Sequence, residues 1–198
     1  MFAKKTYAAL TMAASAALLA GCQTYGMDDG EMASASADAT VMVGGAEMYP
    51  TRNIIQNAVN SQDHTTLVAA VKAAGLVDTL SGSGPFTVFA PTNAAFAKLP
   101  AGTVDTLLKP ENKAMLTKVL TYHVVPGRVS AGDLMTKIAN GGGMAKLTTV
   151  EGGTLTAKMM GGNVVLVDEK GGMATVTQAD VFQSNGVIHV TDTVSMPS

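Results

Sequence analysis

The sequence has no tryptophan, one cysteine (Cys22), four tyrosines and five phenylalanines in 198 residues. A single thiol excludes an internal disulfide and a multi-cysteine metal site. So few aromatic rings supply poorly any aromatic platform for sugars. The chain carries 13 basic and 15 acidic residues, a formal charge of −2, with no basic stripe. Nucleic acid is therefore not an expected partner. The three histidines, His64, His123 and His189, show no His-Glu-x-x-His spacing. Gly82-Ser83-Gly84 lacks a Gly-x-Ser-x-Gly elbow, and no Gly-rich loop with a lysine cradles phosphate. The acid pairs Asp28-Asp29 and Asp168-Glu169 fall in a low-complexity stretch and at a turn, where solvation is the simpler reading. No nucleophile, base and orienting group assemble into an active site, so no catalytic residue, cofactor or metal ligand is expected.

What is present begins with an export signal. Lys4 and Lys5 precede an uncharged Ala/Leu-rich run, Tyr7 to Ala20, of about 14 residues, shorter than the ~20 that span a bilayer as a helix. It ends in Leu19-Ala20-Gly21-Cys22. This segment resembles the bacterial lipobox, in which the thiol is acylated and the chain is cut before the cysteine. Residues 1–21 are thus expected to be a signal peptide and Cys22 the lipid attachment site. A single acyl chain holds a protein only marginally, at ~0.8 kcal/mol per methylene, whereas two or three hold it stably. Gln23 follows the cysteine. By resemblance, the absence of aspartate there implies an outer-membrane destination, with the domain in the periplasm or at the cell surface.

Residues 22–45 are then the lipidated cysteine and a flexible tether rich in Gly, Ala, Ser, Met and acid, such as Met32-Ala33-Ser34-Ala35-Ser36-Ala37-Asp38-Ala39. A coil of about 28 residues, up to Pro50, spans roughly 30 Å. Val41 to Val43 also has the composition of an edge strand.

Residues 46–198 have the length of one domain. Apolar spacing in the first part is helical. Asp63 can cap a helix carrying Leu67, Val68, Val71 and Ala74 and ended by Gly75. Phe86-Thr87-Val88-Phe89-Ala90 is a buried strand after the turn Ser81 to Pro85. Short helices follow at Asn93 to Leu99 and at Thr103 to Leu108, and a longer one runs from Pro110 to Leu120. His123-Val124-Val125 is a short strand stopped by Pro126-Gly127, and a helix covers about Ala131 to Ala139. After Gly141-Gly142-Gly143 the period becomes two. Strands are expected at 147–150, 154–159, 164–168, 174–177 and 187–191, joined by Gly-containing turns. Helices first and a meander second indicate an α+β domain.

Three segments carry a family resemblance. Thr87-Val88-Phe89-Ala90-Pro91-Thr92-Asn93-Ala94-Ala95-Phe96 resembles the first signature of the fasciclin-like domain. Asn185-Gly186-Val187-Ile188-His189-Val190-Thr191-Asp192 resembles the second. Leu120-Thr121-Tyr122-His123-Val124-Val125-Pro126-Gly127 is similar to its Tyr-His motif. The resemblance implies a wedge of helices packed on a mostly antiparallel β-sandwich, with the two signatures side by side as core strands. It also implies a secreted or membrane-tethered adhesion or interaction module, with an unidentified protein or matrix partner. Tyr122, His123, Val124 and Val125 are carried over as adhesion candidates. An integrin-type contact is not supported, since the Asp-Ile and Arg-Gly-Asp sequences are absent.

On their own chemistry, Thr92, Asn93, His189 and Asp192 are structural residues: caps, strand partners and polar groups satisfied within the fold. Tyr122 has the alternative of filling the core with its hydroxyl bonded, and His123 of bonding a backbone carbonyl. A second functional reading is an envelope protein that binds a small ligand or polymer. The 13 methionines, among them Met159 and Met160 beside Gly161, would then line an adaptable surface, although core filling explains many of them.

Overall fold

Two apolar segments a hundred residues apart in sequence, Phe86–Pro91 and Gly186–Thr191, run side by side in parallel register. The computed structural model that shows this describes residues 40–198. The segment read as a signal peptide, Cys22, and residues 23–39 of the stretch read as a tether lie outside the described residues. The strands are β1 (Val41–Val43), β2 (Ala46–Met48), β3 (Phe86–Pro91), β4 (Val124–Pro126), β5 (Met144–Thr148), β6 (Thr154–Met160), β7 (Asn163–Val167), β8 (Met173–Gln183) and β9 (Gly186–Thr191). The helices are α1 (Ile54–Ala58), α2 (Thr65–Ala74), α3 (Val77–Ser81), α4 (Asn93–Ala97), α5 (Thr103–Leu107), α6 (Lys113–Tyr122) and α7 (Ala131–Asn140).

Seven strands form one sheet in the order β4-β3-β9-β8-β7-β6-β5, antiparallel except for β3 beside β9. The expected sandwich is thus a continuous sheet bent back on itself. The bend lies in β8. Its first part pairs with β7 and its later part with β9, through register shifts between Val176 and Gln178 and between Gln178 and Val181. Such irregularities re-aim a strand and sharpen its twist. Asp180 sits there with φ +59°, and its carboxylate accepts the Ala131 N–H at 2.7 Å, fixing the start of α7 to the bend. Ser130 and Asp133 complete that start with a capping box. At the open side of the sheet the Val150 N–H donates to the Val124 carbonyl at 2.7 Å.

The sheet has apolar residues on both faces, which creates two cores. Inside the bend, Phe89, Leu155, Leu166 and Val176 meet Tyr122 and, from α7, Leu134 and Ile138. On the other face, Val88, Ala90, Ile188 and Val190 pack against Leu67, Val71, Leu116 and Leu120 of the helical layer. All six residues of β9 are buried, so the strand reads as a continuous apolar run rather than an alternation. Each fully buried Phe or Leu contributes about 1.5–3 kcal/mol of transfer free energy.

Gly75 ends α2 in the left-handed region, φ +74°, as its place after Ala74 suggests. The edge-strand alternative for 41–43 is the arrangement seen. β1 and β2 form a hairpin whose Val43 and Met48 are buried in the helical core. Ordered structure therefore extends to residues within the stretch read as tether.

Candidate functional site

The two signature strands place four of the singled-out polar residues near one another in the fold. Thr92 accepts the Ala95 N–H at 3.2 Å and so caps α4. Asn93 caps a different helix. Its Oδ1 accepts the Thr66 N–H at 3.0 Å and the Thr65 hydroxyl at 3.2 Å, and its Nδ2 donates to the Gln62 carbonyl at 2.8 Å. Asp63, expected to cap α2, lies in a single 3-10 turn, Gln62–His64. That turn moves the N-cap from Asp63 to His64, and no side-chain cap bond is made there. The donor left open is met from α4.

Asp192 joins β9 to β8. Its Oδ1 accepts the Thr175 N–H at 2.8 Å while its own N–H donates to the Thr175 carbonyl at 3.1 Å. Burial raises its carboxyl, but the Thr175 N–H, Lys98 and Thr193 outweigh that and hold it below the usual carboxylate range. The Lys98 contact, 3.2 Å, is exposed and worth at most about 1 kcal/mol.

His189 is fully buried. Nε2 bonds the Val129 carbonyl at 2.8 Å, and Nδ1 accepts the Asp180 N–H at 3.3 Å. A carbonyl only accepts and an N–H only donates, so the ring is neutral with its proton on Nε2. The ring stacks on Phe89 with centroids 5.5 Å apart. Burial holds its pKa below the usual histidine value. His64 is also buried and lowered by burial. Its Nδ1 meets the Ser61 hydroxyl at 2.8 Å, and its Nε2 lacks a partner among the described residues.

The Tyr-His segment lies within the fold. Tyr122 has no exposed surface, and Val124 and Val125 are each 5 % exposed. The Tyr122 hydroxyl donates to the Thr154 carbonyl at 2.8 Å and accepts the Glu169 N–H at 3.2 Å, bridging α6 to the start of β6 and to the turn after β7. Burial pushes its pKa up to about 12. His123 bonds the Val119 carbonyl through Nδ1 at 2.8 Å and accepts the Ser195 N–H on Nε2 at 3.0 Å. By the same logic it is neutral, with the proton on Nδ1, and burial lowers its pKa. Beyond Ser195 the tail is strapped down. The Met196 N–H donates to Asp168 Oδ2 at 2.9 Å and the Ser198 N–H to Glu169 Oε2 at 3.1 Å. Asp168 and Glu169, read as solvated, thus serve as anchors for the tail.

Above His123 the helical layer opens. A narrow cleft of about 40 Å³ is lined by Ile55, Val68, Val71, Val77, Leu120 and His123, among others. Helices α1, α2 and α3 form its walls, and His123 and Val124 lie at its base. Ile55, Val68 and Val77 are partly exposed at its lip. Its polar content is a backbone-bonded imidazole and the exposed Lys72, so it suits apolar groups. Sequence reading missed α1 and α3, which build two of the walls. The pair Asn53 and Gln56, which forms a capping box on α1, was a usable signal.

Among the described residues no group of three or more His, Cys, Asp or Glu side chains could hold a metal ion. Among them, too, no helix is long and apolar enough to cross a membrane.

Comparison with known proteins agrees with this geometry. The family model of the fasciclin domain matches residues 62–197. The protein sll1483 of Synechocystis sp. is 46% identical over 177 residues, covering 89% of this chain and 89% of its own length. The cell surface glycolipoprotein MPB83 of Mycobacterium bovis is 37% identical over 145 residues, covering 71% of this chain and 58% of that protein. Among solved structures, a FAS1 domain pair from the insect cell adhesion molecule fasciclin I superposes with a TM-score of 0.65 at 19% identity, over 74% of this chain and 51% of that one. With its two signatures paired as β3 and β9, its Tyr-His segment buried between two cores, and a family match over most of its length, the chain belongs to the fasciclin domain family.

Proposed function

We propose that this protein is a membrane-anchored, extracytoplasmic adhesion or protein-interaction module, held by lipid on Cys22 and engaging its partner through the apolar cleft between α1, α2 and α3. The observation that carries the reading is the cleft itself. It is a place where partly exposed apolar side chains surround an opening instead of closing a core. Tyr122, His123, Val124 and Val125 then act from beneath, by setting its base. Two names support the placement: a relative is a cell surface glycolipoprotein, and the superposed structure comes from a cell adhesion molecule. Standard interfaces need ~800 Å² from each partner. The cleft is accordingly the apolar centre of a larger contact.

The same cleft favours a second reading, a binding protein for a small apolar ligand or an envelope polymer. One set of strains separates the two: wild type, deletion, and deletion complemented with Ile55→Gln/Val68→Gln protein shown to melt like wild type. The adhesion module predicts that deletion lowers surface attachment and cell aggregation and that the variant fails to restore them. Full restoration by the variant refutes the cleft as the contact. Unchanged adhesion on deletion refutes the module, and the ligand reading then predicts thermal stabilisation by an apolar envelope ligand, about 2.7 kcal/mol at 100 times its Kd. For the anchor, Cys22→Ser is expected to release the mature protein from membranes or leave the precursor unprocessed.

A further inference from the structure

The chain has more acid than base, yet two adjoining stretches, separated by Glu151 alone, contain no acid. Between Asp133 and Glu151, and again between Glu151 and Asp168, there is no Asp or Glu, while Lys137, Lys146 and Lys158 are present. These residues make the end of α7, strands β5 to β7, and the turns between them. On the outer side of the sheet Met144 stands opposite Lys158, and Lys146 opposite Thr156. Met160 follows two residues after Lys158 on the same side, and Met159 stands beside it at the rim, before the Gly161-Gly162 turn. Met144, Met159 and Met160 are 55, 42 and 47% exposed. Lys146 and Lys158 enter none of the ion pairs among the described residues.

Three flexible apolar side chains at a rim, flanked by unpaired lysines and free of carboxylates, complement an anionic surface with an apolar layer beneath it. Lysine stems lie along apolar surface while their ammonium groups reach outward to phosphates. Methionine adapts to an irregular layer because it is unbranched. We infer that this rim of the meander, Met144, Lys146, Lys158, Met159 and Met160, docks on an anionic phospholipid surface. That orients the domain on the membrane with the α1–α3 cleft on a different part of the fold. The inference rests on the reading that the domain works beside a membrane, and it names the face that lies down.

The test uses the full chain with Cys22→Ser, so that acylation plays no part. A single cysteine carrying a polarity-sensitive dye is introduced by Asn163→Cys, an exposed position at the rim, or by Glu111→Cys, an exposed position in the helical layer. The probes are vesicles of phosphatidylethanolamine with phosphatidylglycerol, and vesicles of phosphatidylcholine alone. The expected result is a blue shift of the dye at position 163 on anionic vesicles, little shift at 111, and loss of the effect on phosphatidylcholine. Each lysine near an anionic surface strengthens binding by about fivefold, so Lys146→Glu/Lys158→Glu weakens it by at least ~25-fold. Binding also falls at 0.5 M salt, where screening is strong. Met144→Ser/Met160→Ser keeps the charge and loses the blue shift. Equal shifts at both positions, or a shift that survives charge reversal, overturn the proposal. A shift that appears without vesicles and grows with protein concentration overturns it in favour of self-association. None of these outcomes bears on the adhesion assay, so failure here is distinguishable from failure of the module reading.

Discussion

The imidazole of His123 accepts the backbone N–H of Ser195 at 3.0 Å, and by that bond the end of α6 holds the C-terminal tail. The bond requires a bare Nε2. His189 has the same requirement at Nδ1, which accepts the Asp180 N–H. For both, and for His64, burial lowers the folded-state pKa. The unfolded chain, with histidines near 6.5, therefore takes up protons first as pH falls. Stability is at its full value above about pH 6.5 and declines below it, by up to about 1.4 kcal/mol per pH unit for each histidine. Melting temperature measured from pH 7.5 to 5 should hold to about pH 6.5 and fall below it. The lowered carboxyls Asp133, Glu169 and Asp192 lose their contribution in a separate window, below about pH 4. A flat profile between 7.5 and 5 would show that the buried histidines titrate normally.

Tyr122→Phe removes one oxygen and leaves two part-buried backbone groups, the Thr154 carbonyl and the Glu169 N–H, without that partner. A fully buried group left unpaired costs about 1–3 kcal/mol, so these part-buried ones are expected to cost about 1 kcal/mol. Urea unfolding should show a lower midpoint with an unchanged slope. A loss under about 0.5 kcal/mol would mean that water replaces the hydroxyl and that the bridge is dispensable.

Asn93→Ala removes the cap on α2 supplied by α4. The expected loss is about 1 kcal/mol, the usual effect of deleting a helix cap. Asn93→Asp keeps the acceptor for Thr66 but not the donor to the Gln62 carbonyl. Equilibrium unfolding should place it between wild type and alanine. Equal stability of all three proteins would remove Asn93 from the list of folding devices.

How much of this was legible depends on distance along the chain. Helix α2 was visible because Leu67, Val71, Ala74 and Gly75 lie within one local period. Strands β3 and β9 were visible as apolar runs, but their pairing came from the family resemblance, since nothing local in Phe86–Pro91 names Gly186–Thr191 as its neighbour. Strand β8 was read only to Thr177 because its irregularities shift the alternation, bringing Gln178 and Asp180 into phase with apolar neighbours. Helix α1 has five residues, too few for a period. The Asn93–Thr66 cap and the His123–Ser195 bond join positions 27 and 72 residues apart. The cleft draws on six separate elements and has no linear signature.

Gly186→Ala tests the closeness of the two signature strands. A Cβ at Gly186 would lie 2.1 Å from the Phe86 carbonyl oxygen, a backbone atom that cannot swing aside. The substitution must push β9 from β3 at the centre of the sheet. The expected cost is about 3 kcal/mol or more, the upper end for overpacking. Thermal unfolding checks it, and a near-wild-type melt would mean that the parallel pair is looser than its register implies.

The Tyr122–His123 pair and the cleft lip can be separated by one further comparison. Tyr122→Ala/His123→Ala deletes a fully buried ring, expected to cost about 3–5 kcal/mol, and also strips the Ser195 N–H of its acceptor. That total approaches the 5–15 kcal/mol by which domains are stable. The doubly substituted protein should melt far below wild type and lose adhesion through loss of fold. Ile55→Gln/Val68→Gln alters partly exposed side chains and should leave the melt within a few degrees of wild type while still abolishing adhesion. A pair of results in which the core variant stays folded and non-adhesive, and the lip variant stays folded and adhesive, would instead make Tyr122 and His123 contact residues. That outcome would require the tail from Thr193 to Ser198 to lift off and uncover them.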